Sequence, residues 1–276
     1  APLPEDIKIL LIGDSHAQRM VQYACKKINA PIHHWLNGHA IMFSKSVQRR
    51  VRRKVHHWCS LGGFTIANLY HFGYLKLNGS YFNQNGFSGQ ATDTQDKILV
   101  ELQNISQWIP NFSPQLVVLG ANGYDGASLL FPPALGLNQK KSTFAQRLVA
   151  KTPLLHDRAR MLLSLPLLTR AFSQAAFWTK IAFPDAVLAW TSHFDSNLLG
   201  PFEPEFHQLF NNFVKHEMAK NHPAMLLFDV SAVLQGRHYD FEDLLHYKPE
   251  FYQELINLYI MELKTALAIR VLPFFP

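Results

Sequence analysis

The chain has 276 residues, 48% of them hydrophobic, which is enough to bury a full core in one domain with insertions. Two cysteines are too few for a disulfide scaffold, and the apolar stretch "MLLSLPLLTRAF" is broken by Pro166 and Arg170 before it could span a bilayer. The net charge of +6 is modest, and much of the basic excess sits in "VQRRVRRKVHH", residues 47–57.

The chain as given is expected to be soluble. Its start, "APLPEDIK", lacks the charged-then-apolar layout of a signal peptide, although a processed mature end would look the same. Cys25 and Cys59 could form one bridge, which spacing alone does not decide. Three N-glycosylation acceptors occur, at Asn78, Asn104 and Asn111, a number close to chance. The compartment stays open, with a lean to the secretory route.

In chain order, "IKILLI", residues 7–12, is a continuous apolar run of the length of a buried central strand. "SHAQRMVQYACKKI" follows at helical spacing, with Met20, Val21, Ala24 and Ile28 on one side. Strand, tight turn and helix open an α/β unit. Residues 31–80 mix the basic run with "SLGGFTIANLYHFGYLKL" and are read as an insertion with some helix.

Thr92 or Thr94 can cap a helix in which Ile98, Leu102, Ile105 and Ile109 recur until Pro110 stops it. "QLVVLGAN", residues 115–122, predicts a second strand, and the Pro- and Leu-rich stretch 126–165 an inserted lid or cap. "LLTRAFSQAAFWTKI" predicts a helix, "AVLAWT" (186–191) a third strand, "EPEFHQLFNNFVKHEMAK" another helix and "AMLLFDV" (224–230) a fourth strand. The final helix starts at Pro249, with Tyr252, Leu255, Ile256, Tyr259, Leu263 and Leu267 on one face. Alternating strands and helices imply a mostly parallel sheet covered on both sides, whose ligands bind at the carboxyl ends of the strands.

Those ends offer a set of groups. The first strand leads to Ser15 in Gly13-Asp14-Ser15-His16; "NGFSGQ" supplies Gly89; the second strand ends in Gly120 and Asn122; Asp243-Leu-Leu-His246 precedes the last helix. Ser15 is a weak nucleophile until a base takes its proton, and His246 is the candidate base. Asp243 can reach back to the imidazole and fix its tautomer. The backbone N–H groups of Ser15 and Gly89 and the Asn122 amide are candidate oxyanion donors, each worth about 3–4 kcal/mol in the transition state. A Cβ at position 89 would obstruct the substrate.

These residues in this order resemble the SGNH hydrolase superfamily, the GDSL-like esterases and lipases named for a serine, glycine, asparagine and histidine in separate blocks. "GDSH" matches the first block with Ser15, "NGFSGQ" the second with Gly89, "GAN" the third with Gly120 and Asn122, and "DLLH" the last with Asp243 and His246. The resemblance runs from residue 7 to about 268. It implies an α/β fold, a flavodoxin-like three-layer α/β/α sandwich with a mostly parallel sheet, in a single domain over 1–276. It also implies an ester hydrolase or O-acyltransferase with Ser15, Asp243 and His246 as catalytic residues. Ser15, Gly89 and Asn122 would form the oxyanion hole, supported by Asp14 and Gly120, with no cofactor. The interval from Ser15 to Gly89 and the insertion at 126–165 depart from compact members, so the substrate pocket does not carry over. "GDSHA" is similar to SGNH domains of polysaccharide O-acyltransferases and biases the substrate towards carbohydrate O-acyl esters. Hydrolase and acyltransferase share their first half-reaction and are not separated by sequence.

Each feature has a plainer alternative. Ser15 could end a strand in a turn, Asn122 could be a turn former, and Asp14 is expected to hold its turn by hydrogen bonds. His16 is expected to point away from the nucleophile as a structural or pocket-lining residue. The pairs His33-His34 and His56-His57 do not share a face, so no metal site is expected. The run 47–57 could meet an anionic partner but reads as a solvated helix face, and Trp35 and Trp58 beside it do not complete a nucleic-acid module. The competing reading of the whole chain is an inactive SGNH fold that binds through this run.

Overall fold

The computed structural model describes residues 6–35, 56–70, 102–120, 169, 172–192, 203–230, 241–242 and 246–271. Within them, strand β1 (Ile7–Gly13) turns directly into helix α1 (Ser15–Lys27). Then come β2 (His33–Trp35), β3 (His56–Leu61), β4 (Phe64–Tyr70), α2 (102–108) and β5 (Leu116–Gly120). α3 (172–182), β6 (Val187–Thr191), α4 (Glu203–Asn221), β7 (Leu226–Phe228) and α5 (Pro249–Val271) complete the series.

The strands form one sheet in the order β2-β3-β4-β1-β5-β6-β7. β4, β1, β5, β6 and β7 run parallel, and β2 and β3 add an antiparallel extension at one side. Counted along the chain, the parallel strands have the order 2-1-3-4-5, the flavodoxin-like winding. β1 lies inside the sheet, so both of its faces are covered and, past Lys8 near its start, its residues are apolar and buried. Leu10 and Ile12 pack with Val117, Leu119, Trp190 and residues of α2, α3 and α4. Ile9 and Leu11 pack on the opposite face with α1 and with Phe251, Tyr252, Leu255 and Tyr259 of α5. The result is the three-layer α/β/α sandwich expected.

Caps account for the ends of α1. The Asp14 carboxylate accepts from the His16 N–H at 2.9 Å, the N-cap contact expected of it. At the other end Asn29 takes a left-handed φ of 54°, and the N–H groups of Asn29 and Ala30 return to the carbonyls of Lys26 and Cys25. The face of α5 is as anticipated, with Tyr252, Leu255, Ile256, Tyr259 and Leu263 buried and Leu267 partly so. Strand β7 is shorter than the 224–230 expected, because Met225 N–H closes a turn on the His222 carbonyl.

The reading of 31–80 is corrected in its described parts, which are strands rather than helix. Leu61 pairs with Phe64 across Gly62-Gly63, whose φ angles of 57° and 81° suit a two-residue hairpin turn that L side chains resist. His56 and His57 also leave the expected solvated face of the basic run, being 7% and 3% exposed in β3. Residues 47–55 lie outside the described residues, as do the insertion 126–165, the start of the helix before 102, and Asn78. Asn104 lies in α2 with its amide oxygen bonded to Gln107, and Asn111 is exposed in a turn with a φ of 55°. No described helix is long and apolar enough to cross a membrane.

Cys25 of α1 and Cys59 of β3 are joined by a disulfide across 34 residues, closing the question the sequence left open. Both half-cystines are fully buried. Replacing both by alanine should lower unfolding stability by about 3–4 kcal/mol, chiefly through the loop freed in the unfolded chain. Chemical denaturation of oxidised wild type beside the double variant measures this, and equal midpoints would count against a formed bridge.

His56 generates a pH dependence. Its Nδ1 accepts from the Tyr70 N–H at 2.8 Å, and burial together with neighbouring His57 pushes its pKa down from 6.5 to about 3. From pH 6.5 down to about 3 the unfolded chain takes up a proton here that the folded chain refuses. Stability is therefore complete above 6.5 and falls as pH falls, by up to about 1.4 kcal/mol per pH unit from this group. His56→Asn keeps an acceptor for Tyr70 but does not titrate. Urea unfolding between pH 6 and 4.5 should show a shallower slope in that variant, and an unchanged slope would refute a buried neutral His56.

Candidate active site

In the 2-1-3-4-5 winding, the chain leaves β1 towards β4 on one side and β5 on the other, which opens a crevice at the carboxyl end of β1. Gly13 pairs with Tyr70 of β4, and Gly120 with Thr191 of β6, so these strand ends line one edge. A Cβ on Gly13 would come within 3.2 Å of the Ala17 Cβ, and one on Gly120 within 3.3 Å of the Ile12 carbonyl oxygen. Glycine at both positions lets the first turn of α1 and the end of β5 close tightly around β1.

Ser15 is the first residue of α1, immediately after the Asp14 cap. His246 arrives from the other end of the chain, just before α5. Its imidazole Nε2 lies 2.8 Å from the Ser15 hydroxyl. The side chain is nearly buried, at 9% exposure. The contact joins residues 231 apart in sequence, the two ends of the arrangement anticipated from strand order.

The segment that carries His246 is held on several sides. Phe241 and Tyr247 form an antiparallel bridge with their rings stacked at 4.4 Å, and the Glu242 N–H donates to the His246 carbonyl at 2.7 Å. From α1, Arg19 pairs with the Glu242 carboxylate, and the Tyr23 hydroxyl donates to the same oxygen at 2.7 Å. Burial and then the Glu242 hydrogen bond raise the Tyr23 phenol above its ordinary pKa, so it stays a donor. From α5, the Tyr252 hydroxyl accepts from the Tyr247 N–H at 3.3 Å, and Phe251 packs on the Tyr247 ring at 4.3 Å.

His16 is buried, at 7% exposure, as a structural residue would be, but its ring lies beside the base rather than apart from the site. Its Nδ1 lies 2.8 Å from the Tyr252 hydroxyl, and its ring centroid lies 5.1 Å from that of His246. Sequence reasoning missed Arg19, Tyr23 and Glu242 as supports. The signal available was weak: Arg19 and Tyr23 stand four residues apart on α1, where they share a face, and Glu242 adjoins Asp243. Tyr252 was read only as a core residue.

Of the residues predicted for the site, Ser15 and His246 are brought together, Asp14 caps α1, and Gly120 ends β5 beside β1. Gly89, Asn122 and Asp243 lie outside the described residues. No group of three metal-ligating side chains comes together among the described residues. Both ring nitrogens of His57 face glutamines, Gln18 at 3.2 Å and Gln22 at 3.4 Å. A neutral imidazole bonded to a serine hydroxyl can take its proton as the oxygen attacks an electrophile, which is the chemistry this pair permits.

No family model matches the chain, and no curated protein does. Among solved structures it is similar to a GDSL-like lipase from Bacteroides thetaiotaomicron, with TM-score 0.46 and 11% identity over 96% of this chain and 91% of that one. It is similar to an acetylxylan esterase from Geobacillus stearothermophilus, with TM-score 0.47 and 12% identity over 95% and 96% of the two chains. A carbohydrate esterase family 3 protein from Talaromyces cellulolyticus gives 0.45 and 10% over 94% and 98%. Likenesses this distant carry no argument about chemistry, which rests on the geometry of the chain itself.

Proposed function

We propose that the protein is a serine esterase that removes, or transfers, an acyl group through an acyl-enzyme on Ser15. The observation that carries this is the 2.8 Å contact between the Ser15 hydroxyl and His246 Nε2 at the carboxyl edge of the sheet.

The hydroxyl oxygen attacks the ester carbonyl carbon while its proton passes to His246 Nε2. The carbonyl π electrons move to oxygen, making a tetrahedral oxyanion. Ser15 lies in the first turn of α1, whose N–H groups the helix leaves unbonded, so its own N–H is a donor for that charge. The Gly89 N–H and the Asn122 amide are the further donors proposed, and Asp243 the group that orients the imidazole. Collapse breaks the ester C–O bond, and the leaving alcohol takes the proton from His246. Water or an acceptor hydroxyl then attacks the acyl-serine with the same base, giving an acid or a new ester. The "GDSHA" resemblance favours a short acyl group on a carbohydrate hydroxyl. A buried disulfide persists in oxidising compartments, which supports the secretory lean.

Hydrolysis of p-nitrophenyl acetate tests this. Ser15→Ala and His246→Asn should each lower kcat/KM by at least about a thousandfold, and the double variant little further, because the two residues act as one unit. Ser15→Ala should also lose labelling by a fluorophosphonate probe. Equal activity and labelling in wild type and Ser15→Ala would overturn the assignment.

Glu242 tests the mounting of the base. Its pair with Arg19 is partly exposed, with side-chain exposures of 46% and 23%, so Glu242→Ala should change stability by no more than about 1 kcal/mol. Loosening the segment that carries His246 should nevertheless lower kcat by about tenfold or more, with KM little changed. Unchanged kcat would show that the bridge and the α5 contacts hold the segment alone.

A further inference from the structure

We infer that His16 and Tyr252 form a positioning pair that keeps an uncharged imidazole packed against His246. The inference rests on the esterase reading of Ser15 and His246. It extends it to residues that do not touch the reacting atoms.

Tyr252 projects from α5 and is fully buried. Its hydroxyl oxygen lies 3.3 Å from the Tyr247 nitrogen and 2.8 Å from His16 Nδ1. A backbone N–H can only donate, so the phenol accepts from Tyr247. Burial raises the Tyr252 pKa well above its ordinary value, so the phenol keeps its proton. In the inferred pair that proton goes to His16 Nδ1, which fixes the His16 tautomer with its hydrogen on Nε2. A ring nitrogen that accepts a hydrogen bond disfavours protonation, and an uncharged His16 is thereby maintained.

The consequence falls on His246. Ring centroids 5.1 Å apart, in surroundings shielded from water, make a like charge costly. The imidazolium that forms on His246 during acyl transfer would be opposed by a second imidazolium beside it. Tyr252 prevents that and, through Tyr247, holds the backbone next to His246. One hydroxyl thus sets both the place and the electrical surroundings of the base. Other ionisable groups lie around the pair. Asp14 caps α1 two residues before His16 and accepts from its N–H, and Tyr23 stacks on Tyr252 at 5.6 Å. Arg19 and Glu242 pair at the rim. Their charges are of both signs, and among the described residues His246 is the ring beside His16 that becomes cationic in the reaction.

Tyr252→Phe removes the hydroxyl and keeps the ring. The acid limb of the kcat/KM profile should then move to higher pH, because a proton on either imidazole now lowers activity. The loss relative to wild type should be about tenfold at pH 6 and about threefold or less at pH 8. Adding His16→Asn, which cannot take a charge, should return the acid limb to its wild-type position without restoring full kcat. A loss uniform across pH, or an acid limb unaffected by His16→Asn, would overturn the inference.

A second readout does not need activity. In a Ser15→Ala background, the His16 Cε1–H resonance should titrate at higher pH when Tyr252 becomes Phe, by about one pH unit or more. An unmoved midpoint overturns the pair even if the protein hydrolyses esters. A moved midpoint in a protein without esterase activity preserves the pair and refutes the esterase reading.

Discussion

The contact between Ser15 and His246 depends on α1 and α5 lying side by side on one face of the sheet. A hydrogen bond of this kind contributes about 0.5–1.5 kcal/mol net, far too little to bring together residues from opposite ends of a chain. Burial does that work. Met20, Val21 and Ala24 of α1 share one apolar cluster with Phe251, Leu255 and Tyr259 of α5, on the floor made by Ile9, Leu11, Val118 and Val187. Each fully buried side chain of this size contributes about 1.5–3 kcal/mol. The site is therefore a by-product of core packing at the place where the parallel strands end. A nucleophile at the first position of α1 and a base just before α5 meet because their helices must.

Constraint at the far end of α1 matters for the same reason. A helix of 13 residues is about 20 Å long, so a small tilt at its C-terminus is felt at Ser15. That end is tied by the Cys25–Cys59 disulfide, and the middle of the helix meets β3 through Gln18 and Gln22 against His57. The antiparallel extension β2-β3 thus does more than widen the sheet. It gives α1 a covalent and a polar anchor on the side away from α5.

Much of this was legible in sequence because it is local. "IKILLI" is apolar from Ile9 to Ile12 because both faces of β1 are covered there, Asp14 sits where a cap belongs, and the apolar spacing of α5 survives intact in the fold. The Ser15 and His246 pairing followed from strand order, since parallel strands deliver their carboxyl ends to one edge. The hairpin over 56–70 was also available. Gly62-Gly63 between "WCSL" and "FTIA" has the length and residue type of a tight β-turn, but the adjoining arginines drew the reading towards a helix. What could not be read was the tertiary use of polar tips. Nothing local says that the Tyr252 hydroxyl reaches Tyr247 and His16, or that Arg19 and Tyr23 meet Glu242, because those contacts exist only once α1, α5 and the 241–247 segment are assembled.

The distribution of charge around the site has its own logic. The ionic pair that braces the His246 segment, Arg19 with Glu242, sits at the rim, where water and counter-ions soften it. Deeper in, the described groups that touch the His246 segment include the Ser15 hydroxyl, the Tyr252 phenol and the His16 ring, which can be satisfied by hydrogen bonds without bearing charge. A second cation beside His246 would hold the base neutral throughout the cycle, whereas a single carboxylate, the part proposed for Asp243, offsets the positive charge the base takes on. Acyl transfer needs His246 to pass between the two states twice per turnover, so surroundings that orient it without committing its charge suit the chemistry. The uncharged donors and acceptors among them do this at small cost, since each fixes a direction and adds no long-range field. Of the polar residues buried near the site, Asp14 accepts from the His16 N–H as the cap of α1, and the described side-chain hydrogen bonds of His16, His56, His57 and Asn68 run to phenols, amides and backbone groups.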